Sequence, residues 1–277
     1  MSDKQDLDIV TPNAWESLRT FTDARIGLGR TGVSLPTSAL LEFQLAHAQA
    51  QDAVHTALDT KALETQLDRL VSEHELPETL QLHSRAIDRP TYLQRPDLGR
   101  RLDEPSADKL RNQVADTSSG FDLAIAVVDG LSSKAISDNT SEFLGALFKE
   151  LTQDQDDWQI APLTIVQQGR VAIGDEIGEL LNARAVLVLV GERPGLSSPD
   201  SLGLYLTWAP KIGLTDARRN CISNVRKSGL SHSDAVRKVI YLLKEARRLK
   251  LSGVDLKERS EDTLIEAGGE KRNFLLP

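Results

Sequence analysis

The chain has 277 residues, 40% hydrophobic but only 4% aromatic, with a formal net charge of -8. That is enough apolar material for one large domain or two modest ones built on Leu, Val, Ile and Ala. The acidic balance argues against a general nucleic-acid binder, which needs a basic face, and the single cysteine, Cys221, excludes an internal disulfide and a cysteine zinc site.

Residues 1–10, MSDKQDLDIV, are polar, hold no apolar signal core and read as disordered. A helix is expected from Asn13, a capping residue, with Trp15, Leu18, Phe21 and Ile26 at helical spacing. A second helix follows Thr37, with Leu40, Leu41, Leu45, Ala48 and Val54 on one face. A third, near Lys61 to Glu75, carries Leu63, Leu67, Leu70 and Val71 and is closed by Pro77. Residues 11–78 therefore predict a small helical N-terminal domain.

The pattern changes at Leu80. LQLHSRAI alternates and reads as a strand, followed by the loop RPTYLQRPDLGRRL with four arginines and Tyr92. A helix is expected near Ser106 to Asp116. Phe121 to Val128, FDLAIAVV, reads as a strand buried on both faces and ending in Asp129-Gly130. The next helix begins at Leu131-Ser132-Ser133 and runs to about Leu151. Leu163 to Val166 is a short strand, followed by the loop and helix of QQGRVAIGDEIGELL. Ala185 to Val190 is an unbroken Val/Leu run, the strongest strand signal in the chain, broken by Gly191-Glu192-Arg193-Pro194-Gly195. LGLYLTW, Leu202 to Trp208, is a fifth strand stopped by Pro210, and a loop with Cys221 follows. Ser231 to Leu251 carries the clearest helical stripe, Val236, Val239, Leu242 and Ala246. Residues 254–277 form a charged tail. Strands alternating with helices over 79–253 predict an α/β fold, with a Rossmann-like, mostly parallel sheet flanked by helices. No apolar run approaches the roughly 20 residues of a membrane span.

Few residue patterns suggest chemistry. Gly27-Leu28-Gly29-Arg30-Thr31-Gly32 matches GxGxxG by letters, but the dinucleotide fingerprint needs a strand before it and a helix opening at it. Here it reads as a helix end and a turn. The five histidines, His47, His55, His74, His83 and His232, form no metal-ligand spacing. Asp175 and Glu176 fall in a helix first turn, where negative charge is favourable, and that role suffices for them. What remains is a set of strand ends: Asp129-Gly130, Gly169-Arg170-Val171 and Glu192-Arg193. If those strands are neighbours, three polar loops converge on one crevice. The alternative is a surface ion pair of Glu192 with Arg193 or Arg170. Neither arrangement assembles a nucleophile, a base and an oxyanion hole, so no catalytic residue and no metal ligand is assigned.

Several longer stretches resemble the small (light) subunit family of ethanolamine ammonia-lyase. They are ARIGLGRTGVSLPTSALLEFQLAHAQAQDAVH, TYLQRPDLGRRL, VVDGLSS, GRVAIGDEIGE, LLNARAVLVLVGERPGLSSPDSLGLYLTW and RNCISNVRKSGLSHSDAV. They span roughly residues 13 to 253, and RPDLGRRL, GERPGL and NCISN in that order are specific. The resemblance implies an adenosylcobalamin-dependent enzyme that converts ethanolamine to acetaldehyde and ammonia. It also implies a partner, the large subunit, whose TIM barrel holds substrate and the catalytic side chains. The small subunit then helps enclose the cofactor, and 79–253 is its cobalamin-binding domain.

In that family three small-subunit positions contact the cofactor. By motif they fall on Val171 in GRVAIGDEIGE, Glu192 in GERPG and Cys221 in NCISN. A small buried residue is the other reading of Cys221; Arg218 and Arg219 would lower its pKa if close. No D-x-H-x-x-G signature is present, so the cofactor is expected to keep its own base. The resemblance implies a cytoplasmic location, either free or inside a bacterial microcompartment. Two other readings stay open on the residues alone: a stand-alone nucleotide-dependent oxidoreductase, and a non-catalytic scaffold binding a partner through its N-terminal helices.

Overall fold

The computed structural model describes residues 9–114, 120–154 and 157–259. The charged tail beyond residue 259 and most of the stretch expected to be disordered lie outside these. In chain order the elements are α1 (Thr37–His55), α2 (Thr60–Glu73), β1 (Leu80–His83), α3 (Arg89–Gln94), α4 (Glu104–Val114), β2 (Phe121–Val128), α5 (Ser133–Gln153), β3 (Thr164–Gln167), α6 (Ile173–Leu180), β4 (Ala183–Gly191), β5 (Leu202–Trp208), β6 (Arg219–Val225) and α7 (His232–Leu249). The strands form one sheet in the order β1-β3-β2-β4-β5-β6. The first four pair in parallel, while β5 and β6 add on antiparallel. The architecture is the expected α/β one, a mostly parallel sheet flanked by helices.

The unbroken apolar runs of β2 and β4 follow from burial on both faces. Leu123, Ile125, Val127, Leu187 and Leu189 pack with α5 and α7. The alternate residues Ala124, Ala126, Val128, Val186, Val188 and Val190 pack with α4 and α6 on the other side. The second face carries the smaller side chains, and α6 lies close against it. A Cβ at Gly174 would collide with the Val188 side chain. Helix starts are set by capping oxygens: Asp59 accepts from the Ala62 N–H at 3.0 Å, Ser132 from Ala135 at 3.1 Å and Ser231 from Asp234 at 3.2 Å.

The structure departs from the sequence reading in four places. First, α3, Arg89–Gln94, is a short helix where the loop RPTYLQRPDLGRRL is expected; Asp88 caps it by accepting from the Thr91 N–H at 2.8 Å. Second, residues 13–26 form no α-helix. A short 3-10 turn, Glu16–Thr20, is all that appears, and none of it is buried. Helical spacing of apolar residues stabilises a helix only where that face is covered, and here it is not. Third, α1 forms, but Leu40, Leu41 and Leu45 are exposed, and its buried residues are Ala46 and Ala53. α2 buries Leu63, Leu67 and Leu70 in the same core as the sheet. The two helices thus share no separate core of their own among the described residues. Fourth, Cys221 sits on a strand, β6, where a loop is expected. β6 buries only Arg219, Ile222 and Val225 and pairs with β5 alone, so its composition is that of a polar edge.

GLGRTG is neither preceded by a strand nor followed by a helix opening at it; Arg30 instead bridges Thr11. Among the described residues, no helix is long and apolar enough to cross a membrane.

Candidate functional site

The chain leaves β2 for α5 on one face of the sheet and leaves β3 for α6 on the other. The carboxyl ends of neighbouring strands therefore open a crevice. A cleft of about 370 Å³ lies there, lined by Gly130 and Leu131 after β2, Arg170 and Val171 after β3, and Glu192 and Arg193 after β4. Tyr92 and Tyr205 close its sides. The three strand ends picked from the sequence do converge. Another cavity, lined by His74, Phe148 and Trp158, sits near the amino-terminal half of β2, where Ile160 bridges Leu123, away from these loops.

The floor is made by two glycines in contact. The Leu131 N–H donates to the Gly191 carbonyl at 2.8 Å. A Cβ on Gly130 would strike the Gly191 carbonyl, and one on Gly191 would strike that of Ser132. Only the absence of side chains lets the loops after β2 and β4 meet here.

Asp129 is not among the residues that line the cleft. It is 1% exposed and accepts hydrogen bonds from the N–H groups of Gln168 at 2.9 Å and Gly169 at 3.1 Å. It thereby pins the loop that carries Arg170 and Val171. Burial pushes its carboxyl up to about 6, against the pull of those N–H groups and of Arg89. An unfolded aspartate titrates near about 3.9. Between those two values the folded chain keeps a proton that the unfolded chain has released, so this group's contribution to stability falls as pH rises through the window and levels off above about 6. Asp129→Asn is expected to flatten the wild-type profile of unfolding free energy between pH 4 and 6. A profile with the same slope would show that the carboxylate is ionised in the fold throughout.

Tyr92, from α3, is fully buried. The guanidinium groups of Arg170 and Arg89 lie over its ring at 4.1 and 4.7 Å from the centroid, a cation–π arrangement. Arg170 also donates to the Tyr92 carbonyl at 3.1 Å. Arg89 donates to the carbonyls of Val54 at 2.7 Å and Gly130 at 2.8 Å. Loss of water around the phenol pushes its pKa well above the ordinary range. The sequence reading noted Tyr92 within an arginine-rich loop but gave it no role. Arg89 is its neighbour on α3, but Arg170 comes from the loop after β3, 78 residues on, and nothing local announces that meeting.

Glu192 is held by neutral donors and not by the arginine pair that stood as the alternative to a ligand contact. Ser201 donates to it at 2.5 Å, Ser223 at 2.6 Å and the Asn224 N–H at 3.2 Å. It ties the end of β4 to the start of β5 and to β6 while still lining the cleft. Val171 lines the cleft directly. Cys221 does not line it: it is exposed, not the small buried residue of the other reading, and faces Tyr205, which does line it, across the β5–β6 ladder. Desolvation pushes its thiol up, opposed by the Tyr205 hydrogen bond and reinforced by the Glu192 charge. Arg219 does not lower it, being engaged elsewhere. Cys221 is therefore no thiolate nucleophile.

Two ion pairs brace the surroundings, one buried on both sides and one whose arginine is partly exposed. Asp175 pairs with Arg219, which also reaches Asp216 at 3.0 Å. Glu176 takes Arg101 through both oxygens, each at 3.0 Å, and accepts from the Leu102 N–H at 2.8 Å. Both acids are in the first turn of α6, as expected, and they additionally clamp β6 and the RPDLGRRL loop onto that helix. Among the described residues, no group of three or more His, Cys, Asp or Glu could hold a metal ion. The cleft thus offers backbone polar groups, one carboxylate and two arginines to a large polar ligand.

Comparison with known proteins agrees in one direction. Residues 12–257 match the family described as Ethanolamine ammonia-lyase light chain (EutC). The chain is 55% identical over 275 residues to the ethanolamine ammonia-lyase small subunit of Pseudomonas putida (strain W619), covering 98% of each. It is 54% identical over 271 residues to that of Xanthomonas campestris pv. campestris, covering 96% of each. It is also 54% identical over 267 residues to that of Ralstonia nicotianae, again covering 96% of each.

Proposed function

Because the chain belongs to the ethanolamine ammonia-lyase light-chain family, we propose that its strand-end cleft helps enclose adenosylcobalamin against the large subunit of that lyase. The enzyme so formed converts ethanolamine to acetaldehyde and ammonia. The observation that carries the reading is the convergence of Val171 and Glu192 on one cleft, with Cys221 one side chain behind it.

The residues suit such a group. A corrinoid presents a rim of amides, which donate to carboxylates and accept from N–H and guanidinium groups. Glu192, Arg170 and Arg193 supply both kinds of partner. A carboxylate has about four acceptor sites, so its three present donors leave Glu192 capacity for another. The Nε of Arg170 is buried without a protein partner. A corrinoid with its nucleotide loop is much larger than the cleft, so this chain covers only an edge and a second subunit covers the rest.

When bound, the cofactor supplies homolysis of its cobalt–carbon bond, and the protein supplies binding and orientation. On this side Asp129 fixes the loop that presents Val171. Glu192 fixes the ends of three strands and offers its remaining lone pairs. The glycine floor keeps side chains out of the approach. The substrate-reactive groups belong to the large subunit, and the complex is cytoplasmic, free or packaged in a microcompartment.

The test is reconstitution. The purified chain alone, with adenosylcobalamin, is expected to release no ammonia from ethanolamine, and turnover should appear on addition of the large subunit. Turnover by the single chain would refute the division of labour. Equal turnover by the large subunit without this chain would refute its need.

A further inference from the structure

We infer that the exposed apolar arm formed by the turn Glu16–Thr20 and the first half of α1 is the face that docks on the large subunit, edge to edge with the cleft. The inference rests on the small-subunit reading above and adds where the contact lies. No residue from 9 to 35 is buried. Trp15 is 67% exposed, Phe21 86%, Leu41 58% and Leu45 60%. Large apolar patches of this kind mark interaction sites.

The arm nevertheless has ties that hold it to the rest of the chain. Thr11 and Arg30 exchange two backbone hydrogen bonds, at 2.7 and 3.0 Å. Arg19 reaches Glu42 of α1 at 4.0 Å, which joins turn and helix into one surface. The surface is also tied to the cleft at both ends. Arg25 donates to Ser197 at 3.2 Å and to the Leu196 carbonyl at 3.5 Å, in the loop that begins with Glu192. At the far end of α1, the Val54 carbonyl accepts from Arg89, which also holds Gly130 in the cleft floor.

The occupant follows from chemistry and position. α1 has no Lys or Arg, and Glu42 and Asp52 are its only acidic residues. Depletion of charge at the centre of a patch is the signature of a stable subunit interface. The patch adjoins a cleft that covers only part of its proposed ligand. The subunit that completes the ligand's enclosure is the one placed to cover the patch, and the relatives' printed names make that the large subunit.

The experiment uses the double variant Leu41→Glu/Leu45→Glu and, separately, Phe21→Asp. All three positions are exposed, so circular dichroism and thermal melting of the isolated chain should match wild type. Titration against tagged large subunit should show affinity lower by roughly thirtyfold or more for the double variant, as for loss of an interface hot spot. Unchanged affinity in both variants would overturn the inference. So would a wild-type dimer in sedimentation that the variants split while large-subunit affinity stays intact, since a second copy would then cover the arm. Failure of the function reading looks different. A wild-type chain that captures no large subunit would refute the small-subunit assignment itself, and this inference with it. A complex that assembles normally but retains no adenosylcobalamin would refute the cleft reading and leave the docking face standing.

Discussion

Asp175→Ala is expected to destabilise the chain by about 3–5 kcal/mol, the cost of leaving one partner of a buried ion pair behind. The side chains of Asp175 and Arg219 are only 3% and 2% exposed. Without the carboxylate, Arg219 retains Asp216, whose side chain is 95% exposed, and the Leu214 carbonyl at 3.3 Å. Both remaining contacts lie toward the surface, and the buried Nε already has no partner. The pair joins the first turn of α6 to the first residue of the edge strand β6, so its loss should loosen β6 before the sheet centre. Burial also pushes the Asp175 carboxyl up to about 6, more than Arg219 pulls it down. Water is thus being given up at a cost that the pair only partly offsets. The double change Asp175→Leu/Arg219→Met should accordingly recover most of the stability lost by Asp175→Ala. Urea unfolding at pH 8, where the carboxyl is ionised, measures both. A loss below about 1 kcal/mol for Asp175→Ala is the size seen for exposed pairs and would mean that water reaches the guanidinium.

Glu192→Ala should lower the apparent adenosylcobalamin affinity of the assembled enzyme about ten- to a hundredfold. A hydrogen bond to a charged group contributes roughly 1.5–3 kcal/mol, which converts to that range. Turnover at saturating cofactor should change less, because the proposed function puts the reacting groups on the partner. Glu192→Gln keeps one acceptor oxygen and should do less harm. The observed geometry demands a control, since Glu192 also holds Ser201, Ser223 and Asn224. Ser223→Ala removes one of these struts without touching the carboxylate. If Glu192 contacts the ligand, Ser223→Ala should leave affinity nearly intact. If Ser223→Ala and Glu192→Ala weaken binding alike, Glu192 acts only by bracing the strand ends. Unchanged affinity in Glu192→Ala would remove it from the site.

The central strands were legible because their sequences carry their environment. FDLAIAVV and AVLVLV have no polar alternation, and strands of that kind need both faces covered. Once those strands were placed, the topology rule alone located the crevice, and Gly130, Arg170, Val171 and Glu192 came with it. β6 was not legible, since a strand with one covered face and one free edge needs few apolar residues. The role of Tyr92 was hidden because its second arginine, Arg170, lies 78 residues away in sequence, and no local pattern reports such a meeting. The leucines of α1 misled for a physical reason: periodicity reports which face is apolar, not whether this chain or another one covers it. Val171, Glu192 and Cys221 were named together only through the family resemblance. The residues alone had offered the first two as members of a strand-end set, and Cys221 not at all.

The register of β2 against β4 has a consequence for how the chain reaches its fold. Phe121 must find Ala183, and Val128 must find Val190, before the middle of the sheet exists. β3 and two crossover helices lie between them in sequence and outside them or on the faces in space. Contacts this distant close slowly, because chain entropy is lost before any apolar burial compensates. Leu63, Leu67 and Leu70 of α2 bury in a core that also contains Leu187, Leu243 and Ala246. α2 packs chiefly on α5, so during synthesis these three leucines wait, uncovered, until α5 has left the ribosome. The N-terminal quarter is made first and finds its cover only after the chain has passed its midpoint, an interval in which a holdase or a waiting partner can engage it.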